Sequence, residues 1–205
     1  MISVQKAINI LESSANQLES IKMVVVKESR LSDLLDQMDR NNFHSSDLIN
    51  DDFYEQYKAG QLDIDEYLQF SCSILTQYSI EDLHRFRSEF VAQRILPIIL
   101  DKAQDLVKKH RELGDTLLVI TSTIEFVTRP IVDEFGIDIL IAPDPEIASN
   151  RYTGRIVGVP SFAAGKVTRL EQWLANRQDS LKGSSFYSDS HNDLPLLRLV
   201  DNPVA

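Results

Sequence analysis

The chain has 205 residues, of which 43% are hydrophobic and 25% charged, and its formal net charge is -10. That balance supplies a core, and it excludes a nucleic-acid backbone as partner, which needs clustered Lys and Arg. It leaves room for a small phosphorylated ligand in a local positive site, or for a divalent cation in an acidic cleft. The single cysteine, Cys72, excludes an internal disulfide, and no Cys/His spacing suits zinc. No apolar run approaches the length of a membrane span. The N-terminus lacks a basic start followed by an apolar stretch, and Glu12 interrupts it. The expectation is a cytoplasmic protein without membrane association.

In chain order, Val4, Ile8, Leu11, Ala15 and Leu18 share one face of an amphipathic helix. The β-branched run from Ile21 to Val26 reads as a strand. Residues 28–100 read as helical. Asp63-Ile64-Asp65-Glu66 and Ser79-Ile80-Glu81-Asp82 mark helix starts, and Leu83, Phe86, Phe90 and Val91 line one face up to Pro97. Asp36 and Asp39 read as a solvated helix face. From Asp101 the rhythm changes. Ala103, Leu106, Val107 and His110 suit a helix, Gly114-Asp115 a turn, and 116–120 a buried strand. Residues 124–135 read as a helix ended by Gly136, and 137–141 as another buried strand. A β-hairpin is expected over 146–159, turning around Asn150 to Gly154. Residues 165–176 read as a helix and 184–188 as a strand, and Pro203-Val204-Ala205 opens one more. Helix–strand alternation implies an α/β fold, a parallel sheet with helices on both faces. Trp173 and Cys72 read as packing residues.

Sheets of this kind bind ligands beyond the carboxyl ends of their strands. Thr121, Ser122 and Thr123 follow 116–120, where hydroxyls and backbone N–H groups before a helix N-terminus can hold phosphate oxygens. Lys166, at the start of its helix after Gly165, can neutralise charge on a phosphoryl group. Asp189 and Asp193 follow 184–188 four residues apart, and can bind Mg²⁺ and support its shell. Asp193 also fits as the N-cap of the last helix. Asn192 reads as an orienting hydrogen-bonding residue, and His191 equally as a surface residue or a substrate contact. No G-x-G-x-x-G or G-x-x-x-x-G-K-[ST] is present, which counts against a doubly wound nucleotide binder.

Taken in order, Thr121, Gly165-Lys166 and Ser188-Asp189-Ser190-His191-Asn192-Asp193-Leu194 resemble the second, third and fourth motifs of the haloacid dehalogenase superfamily. The stretches 53–60 and 151–155 look like members of its phosphoserine phosphatase-like branch, which includes histidinol-phosphatase-like proteins. The resemblance covers roughly residues 50–205. It implies a Rossmann-like core with an inserted helical cap. The expected divisions are 1–27 as an N-terminal helix and first core strand, 28–100 as the cap, and 101–205 as the α/β core. It also implies a Mg²⁺-dependent phosphomonoester hydrolase acting on a small phosphorylated metabolite. Lys166 and Asp189 would be catalytic, Thr121, Ser122, Lys166 and Asn192 would hold phosphate, and Asp189 and Asp193 would serve the metal.

The family's first motif is D-x-D-x-T after the first core strand, with one aspartate as nucleophile and the next as general acid and base. After Ile21–Val26 stands Lys27-Glu28-Ser29-Arg30 instead, and the one D-x-D, Asp63-Ile64-Asp65, reads as a helix start with Asp63 as N-cap. Three readings remain open: a relative that binds phosphate without turnover, an altered N-terminal segment on an ordinary enzyme, or another carboxylate in the nucleophile's place.

Overall fold

The computed structural model describes residues 22–24, 52–53, 55–175, 177 and 179–205. The helix expected in the first twenty residues, the pair Asp36 and Asp39, and Lys27 to Arg30 lie outside the described residues. Five strands form one parallel sheet: β1 (Lys22–Val24), β2 (Leu117–Ile120), β3 (Ile139–Ile141), β6 (Ser185–Tyr187) and β7 (Asn202–Val204), in the order β3-β2-β1-β6-β7. The strand opened by the C-terminal residues is thus β7, paired with β6 in parallel register. β1 is central. The chain runs outward on one side through β2 and β3, then returns to β6 and β7 on the other. The crevice beside β1 at the carboxyl ends is therefore where such a sheet takes a ligand.

Alternation along β2 explains its unbroken apolar run. Leu118 and Ile120 pack with Phe186, with Leu170 of α5 (Ala164–Leu174) and with Leu196 and Leu197 of α6 (Leu194–Leu197). Leu117 and Val119 face the other way, onto Val107 of α3 (Asp101–Glu112) and Val132 of α4 (Glu125–Glu134). Both faces are covered, so neither set is polar.

The helical layer consists of the described residues from 52 to 98. α1 (Ile64–Leu75) starts where Asp63 Oδ1 accepts from the N–H groups of Asp65 and Glu66, at 3.0 and 3.1 Å. α2 (Ile80–Phe90) starts at Ser79, whose hydroxyl accepts from Asp82 N at 3.1 Å. Both expected caps are present, each satisfying amides that a helix start leaves without a partner. Pro97 does not simply stop the segment. The chain widens into a π turn at Val91–Ile95, then tightens into a 3-10 turn at Leu96–Ile98. Proline is accommodated there because the first positions of a helical turn need no N–H donor.

The inner face of this layer does not form a separate interior. Leu68, Cys72 and Leu75 of α1 and Leu83 and Phe90 of α2 share one apolar cluster with Phe126, Val127 and Ile131 of α4. Tyr152 and Ile156 pack against the same cluster from β5 (Arg151–Val157). The Phe126 ring is its pivot: Tyr152 meets it edge-on at 5.7 Å, and the Arg87 guanidinium lies 4.7 Å over its centroid.

β4 (Asp144–Ala148) and β5 form the expected antiparallel hairpin, but its turn is Ser149-Asn150, with φ of 50° and 58°. Two positive φ angles in a two-residue loop match the twist of the flanking strands. Gly154, expected in the turn, lies inside β5. A Cβ there would come 3.2 Å from the Thr76 side chain, so this glycine serves the approach of α1 rather than a reversal. Among the described residues no helix is long and apolar enough to cross a membrane.

Candidate active site

β1 pairs Val24 with Val119 of β2 on one side and with Tyr187 of β6 on the other. Thr121 and Asp189 each follow two residues beyond those partners, so they emerge level with one another, flanking the line of β1. Across two strand spacings their backbones stand roughly 10 Å apart, room for a phosphoryl group and its ligands. The residues that continue β1 into this gap lie outside the described residues.

The loop leaving β2 is built from hydroxyls with nowhere else to go. Thr121 N–H donates to Ile141 O at 3.0 Å, which fixes the strand end against β3. Thr121 Oγ1 accepts from Thr123 N at 3.2 Å, which leaves its own proton for donation. Ser122 Oγ and Thr123 Oγ1 are buried and have no hydrogen-bond partner among the described residues. Buried hydroxyls without partners are costly, and oxygen atoms of a bound anion would satisfy them. α4 begins directly after this loop, so its amino end adds favourable partial charge for an anion.

On the opposite side of the sheet, residues 160–165 hold Lys166 in place. Gly165 N–H donates to Phe162 O at 2.7 Å and Lys166 N–H to Ala163 O at 3.1 Å. A Cβ on Gly165 would lie 2.1 Å from the Pro160 carbonyl oxygen, so no other residue fits without moving backbone. Ala163 takes φ 45° and ψ -120°, a region L residues avoid and one found where the surroundings over-determine the chain. The outcome is a lysine in the first turn of α5 that is only 1% exposed. Its Nζ lies 2.6 Å from Oδ1 of Asp193, itself 0% exposed.

Asp193 is thereby the anchor of the acidic loop. Its Oδ2 accepts from Ser188 Oγ at 2.6 Å, Ser188 Oγ accepts from Ser190 N at 3.1 Å, and Ser190 Oγ accepts from Asn192 N at 3.2 Å. Oδ2 is hydrogen-bonded to Ser188 and Oδ1 makes the ion contact with Lys166, so Asp193 holds Lys166 from behind. It makes no side-chain cap to α6, although it occupies that helix's N-cap position. Asp189 lies on the exposed side of this loop. The chain leaves the sheet after Ser188 and turns outward, so the carboxylate is exposed rather than enclosed after a buried strand. The buried charges of this site are Lys166 and Asp193. Asn192 is half-buried, with Nδ2 enclosed and lacking a partner among the described residues. His191 is exposed and lies against Tyr57 at a ring separation of 5.2 Å.

The structure therefore gathers Thr121, Ser122, Lys166, Asn192, Asp193 and Asp189 at one end of the sheet. Reasoning from spacing did not single out Ser188 and Ser190, which knit the acidic loop, or Tyr57, which reaches it from the helical layer. Only the serine-rich run Ser188-x-Ser190 carried a local signal. Among the described residues no three His, Cys, Asp or Glu side chains stand together as a metal cage. Mg²⁺ uses one or two carboxylates and fills its shell with water and phosphate oxygens, so the donor set at Asp189 fits that cation with a ligated phosphate, and Asp193 fits a supporting place.

Further out, the first turn of α4 carries Glu125. Burial holds its carboxyl above the ordinary 4.5, Asp144 adds to the rise, and Arg87 and Arg129 oppose it. Cys72 lies deep in the shared cluster, and burial pushes its thiol up to about 12.

The chain is similar to known proteins. The chain is 48% identical over 160 residues to a histidinol-phosphatase from Neisseria meningitidis serogroup C (strain 8013), across 76% of this chain and 72% of that one. It is 28% identical over 127 residues to phosphoserine phosphatase SerB1 of Mycobacterium tuberculosis (strain ATCC 25618 / H37Rv), of whose length it spans 41%. A crystal structure of a protein of unknown function from Bordetella pertussis Tohama I superposes with a TM-score of 0.81 at 36% identity, covering 91% of this chain and 89% of that one. The haloacid dehalogenase-like hydrolase family matches residues 27–198, a span that takes in the hydroxyl loop after β2, the lysine of α5 and the acidic loop after β6. With these parts in this order on a parallel sheet, the chain belongs to the haloacid dehalogenase-like hydrolases.

Proposed function

We propose that the protein is a Mg²⁺-dependent phosphomonoesterase acting on a small phosphorylated metabolite of the histidinol-phosphate or phosphoserine kind. The observation that carries this reading is the buried Lys166, paired with Asp193 at 2.6 Å, at the same end of the sheet as the hydroxyls of Ser122 and Thr123, which lack partners among the described residues. A buried ammonium and two orphaned donors form a cradle for phosphoryl oxygens, already oriented before a ligand arrives. Thr121 donates its hydroxyl to one oxygen, and Lys166 neutralises charge as the bond to the leaving group breaks. Asn192 orients the group from the acidic loop. Asp189, with Asp193 behind it, would hold Mg²⁺, which when bound offsets phosphate charge as a Lewis acid. The names of the relatives, a histidinol-phosphatase and a phosphoserine phosphatase, support the substrate class.

A second reading is a protein that keeps the phosphate cradle without turnover. The sequence after β1 favours it, since Val25-Val26-Lys27-Glu28-Ser29-Arg30 contains no aspartate to form an aspartyl-phosphate. Hydrolysis of p-nitrophenyl phosphate and of histidinol phosphate separates the two. The enzyme reading expects turnover that EDTA and Asp189→Asn abolish. No turnover in folded protein, with orthophosphate binding by calorimetry that Lys166→Ala weakens, would establish the second reading. With neither turnover nor binding, both fail.

A further inference from the structure

A continuous line of side chains joins the helical layer to the phosphate cradle. It begins at Tyr57, on the helical turn formed by residues 55–59. The Tyr57 hydroxyl lies 2.8 Å from Ser190 Oγ, 133 residues away in the chain, and its ring packs on His191. Gly60, with φ of 69°, carries the chain past His191, and a Cβ there would sit 3.9 Å from Nε2. Ser190 Oγ also receives Asn192 N–H, and Ser190 N–H is held by Ser188 Oγ. Ser188 donates to Asp193 at 2.6 Å, and Asp193 meets Lys166 at 2.6 Å. Asp189 stands between two serines that are both fixed by this line.

We propose that Tyr57 is a positioning residue for the phosphate site: docked on Ser190, it fixes the loop that presents Asp189 and Asn192 and that holds Lys166 through Asp193. This rests on the phosphatase reading for its kinetic consequence and on geometry alone for its structural one. The loop is short and turns at the protein surface, so its order depends on side-chain anchors. Ser188 and Asp193 anchor it from the core. Tyr57 is the anchor from the helical layer, and it makes the loop's geometry depend on that layer being seated.

Tyr57→Phe keeps the ring on His191 and removes only the hydroxyl. Loss of one hydrogen bond of ordinary strength corresponds to about a 3- to 10-fold effect. The expected result is kcat on p-nitrophenyl phosphate lower by about 3- to 10-fold with KM little changed. Amide exchange should be faster at Asn192 and Asp193 and unchanged along β2 and α3. Ser190→Ala, which also removes the acceptor of Asn192 N–H, should give these changes or larger ones, the double variant no more than Ser190→Ala alone, and Ser190→Thr should restore them. If the wild-type protein has no turnover, the phosphatase reading fails, while exchange and orthophosphate affinity still decide this one. Wild-type exchange in Tyr57→Phe, additive effects in the double variant, or faster exchange throughout the chain would each overturn the proposal.

Discussion

Replacing Asp193 by asparagine keeps the shape of the side chain and removes its charge. Lys166 is 1% exposed and has Asp193 2.6 Å away, so the substitution leaves an ammonium enclosed without its counter-charge. Breaking one side of a buried ion pair costs about 3–5 kcal/mol. Ser188 also loses a charged acceptor, which adds about 1 kcal/mol. Set against a typical stability of about 5–15 kcal/mol, this is a large fraction of the whole. At about 2–4 °C per kcal/mol for a chain of this size, the melting midpoint should fall by about 8–24 °C. Urea unfolding at constant m-value measures the loss directly. The paired replacement Lys166→Met with Asp193→Leu removes both charges, and should recover most of the stability while abolishing orthophosphate binding. A change below about 1 kcal/mol in Asp193→Asn would refute the reasoning, as would a double variant no more stable than the singles.

Gly165→Ala should lower stability by about 1–3 kcal/mol in thermal melts and weaken orthophosphate binding, because a Cβ 2.1 Å from the Pro160 oxygen must push α5 and Lys166 aside; unaltered melting and binding would show that the close approach is relaxed in solution. Cys72, with its thiol pushed up to about 12 by burial, should resist Ellman's reagent at pH 8 in the folded protein and react at once in guanidinium; fast labelling of native protein would contradict the packing. Glu125 has a folded-state carboxyl raised above 4.5, so the folded form binds its proton more tightly than the unfolded form. The stability it contributes is present below about pH 4.5 and is lost as pH rises through the folded value. Glu125→Gln should therefore raise the melting temperature at pH 7 and make no difference near pH 4; the reverse ordering would mean that the burial of this carboxyl is misjudged.

What could be read from the sequence was mostly local or periodic. Asp63 and Ser79 were identifiable as caps because a cap acts on amides two or three residues away. β2 was readable because a strand covered on both faces must be apolar throughout. Thr121, Lys166 and Asp189 were found by their places after strands and before helices, where backbone geometry creates anion sites. The remainder depends on contacts between distant segments. Nothing near Asp193 indicates that its partner is Lys166, and nothing near Tyr57 points to Ser190, 133 residues on. The exposure of Asp189 was not legible, because a buried strand does not tell which way the chain turns after Ser188. The hairpin turn was expected around Asn150 to Gly154, while Ser149-Asn150 makes the reversal and Gly154 makes room for Thr76.

Phe126 sits where helical layer, α4 and hairpin meet, with Arg87 over its ring and donating to its carbonyl oxygen at 3.0 Å. A ring shared in this way ties the fate of the layers together. Heating should give a single calorimetric transition, with its van't Hoff and calorimetric enthalpies equal, because neither layer retains an interior once the other is lost.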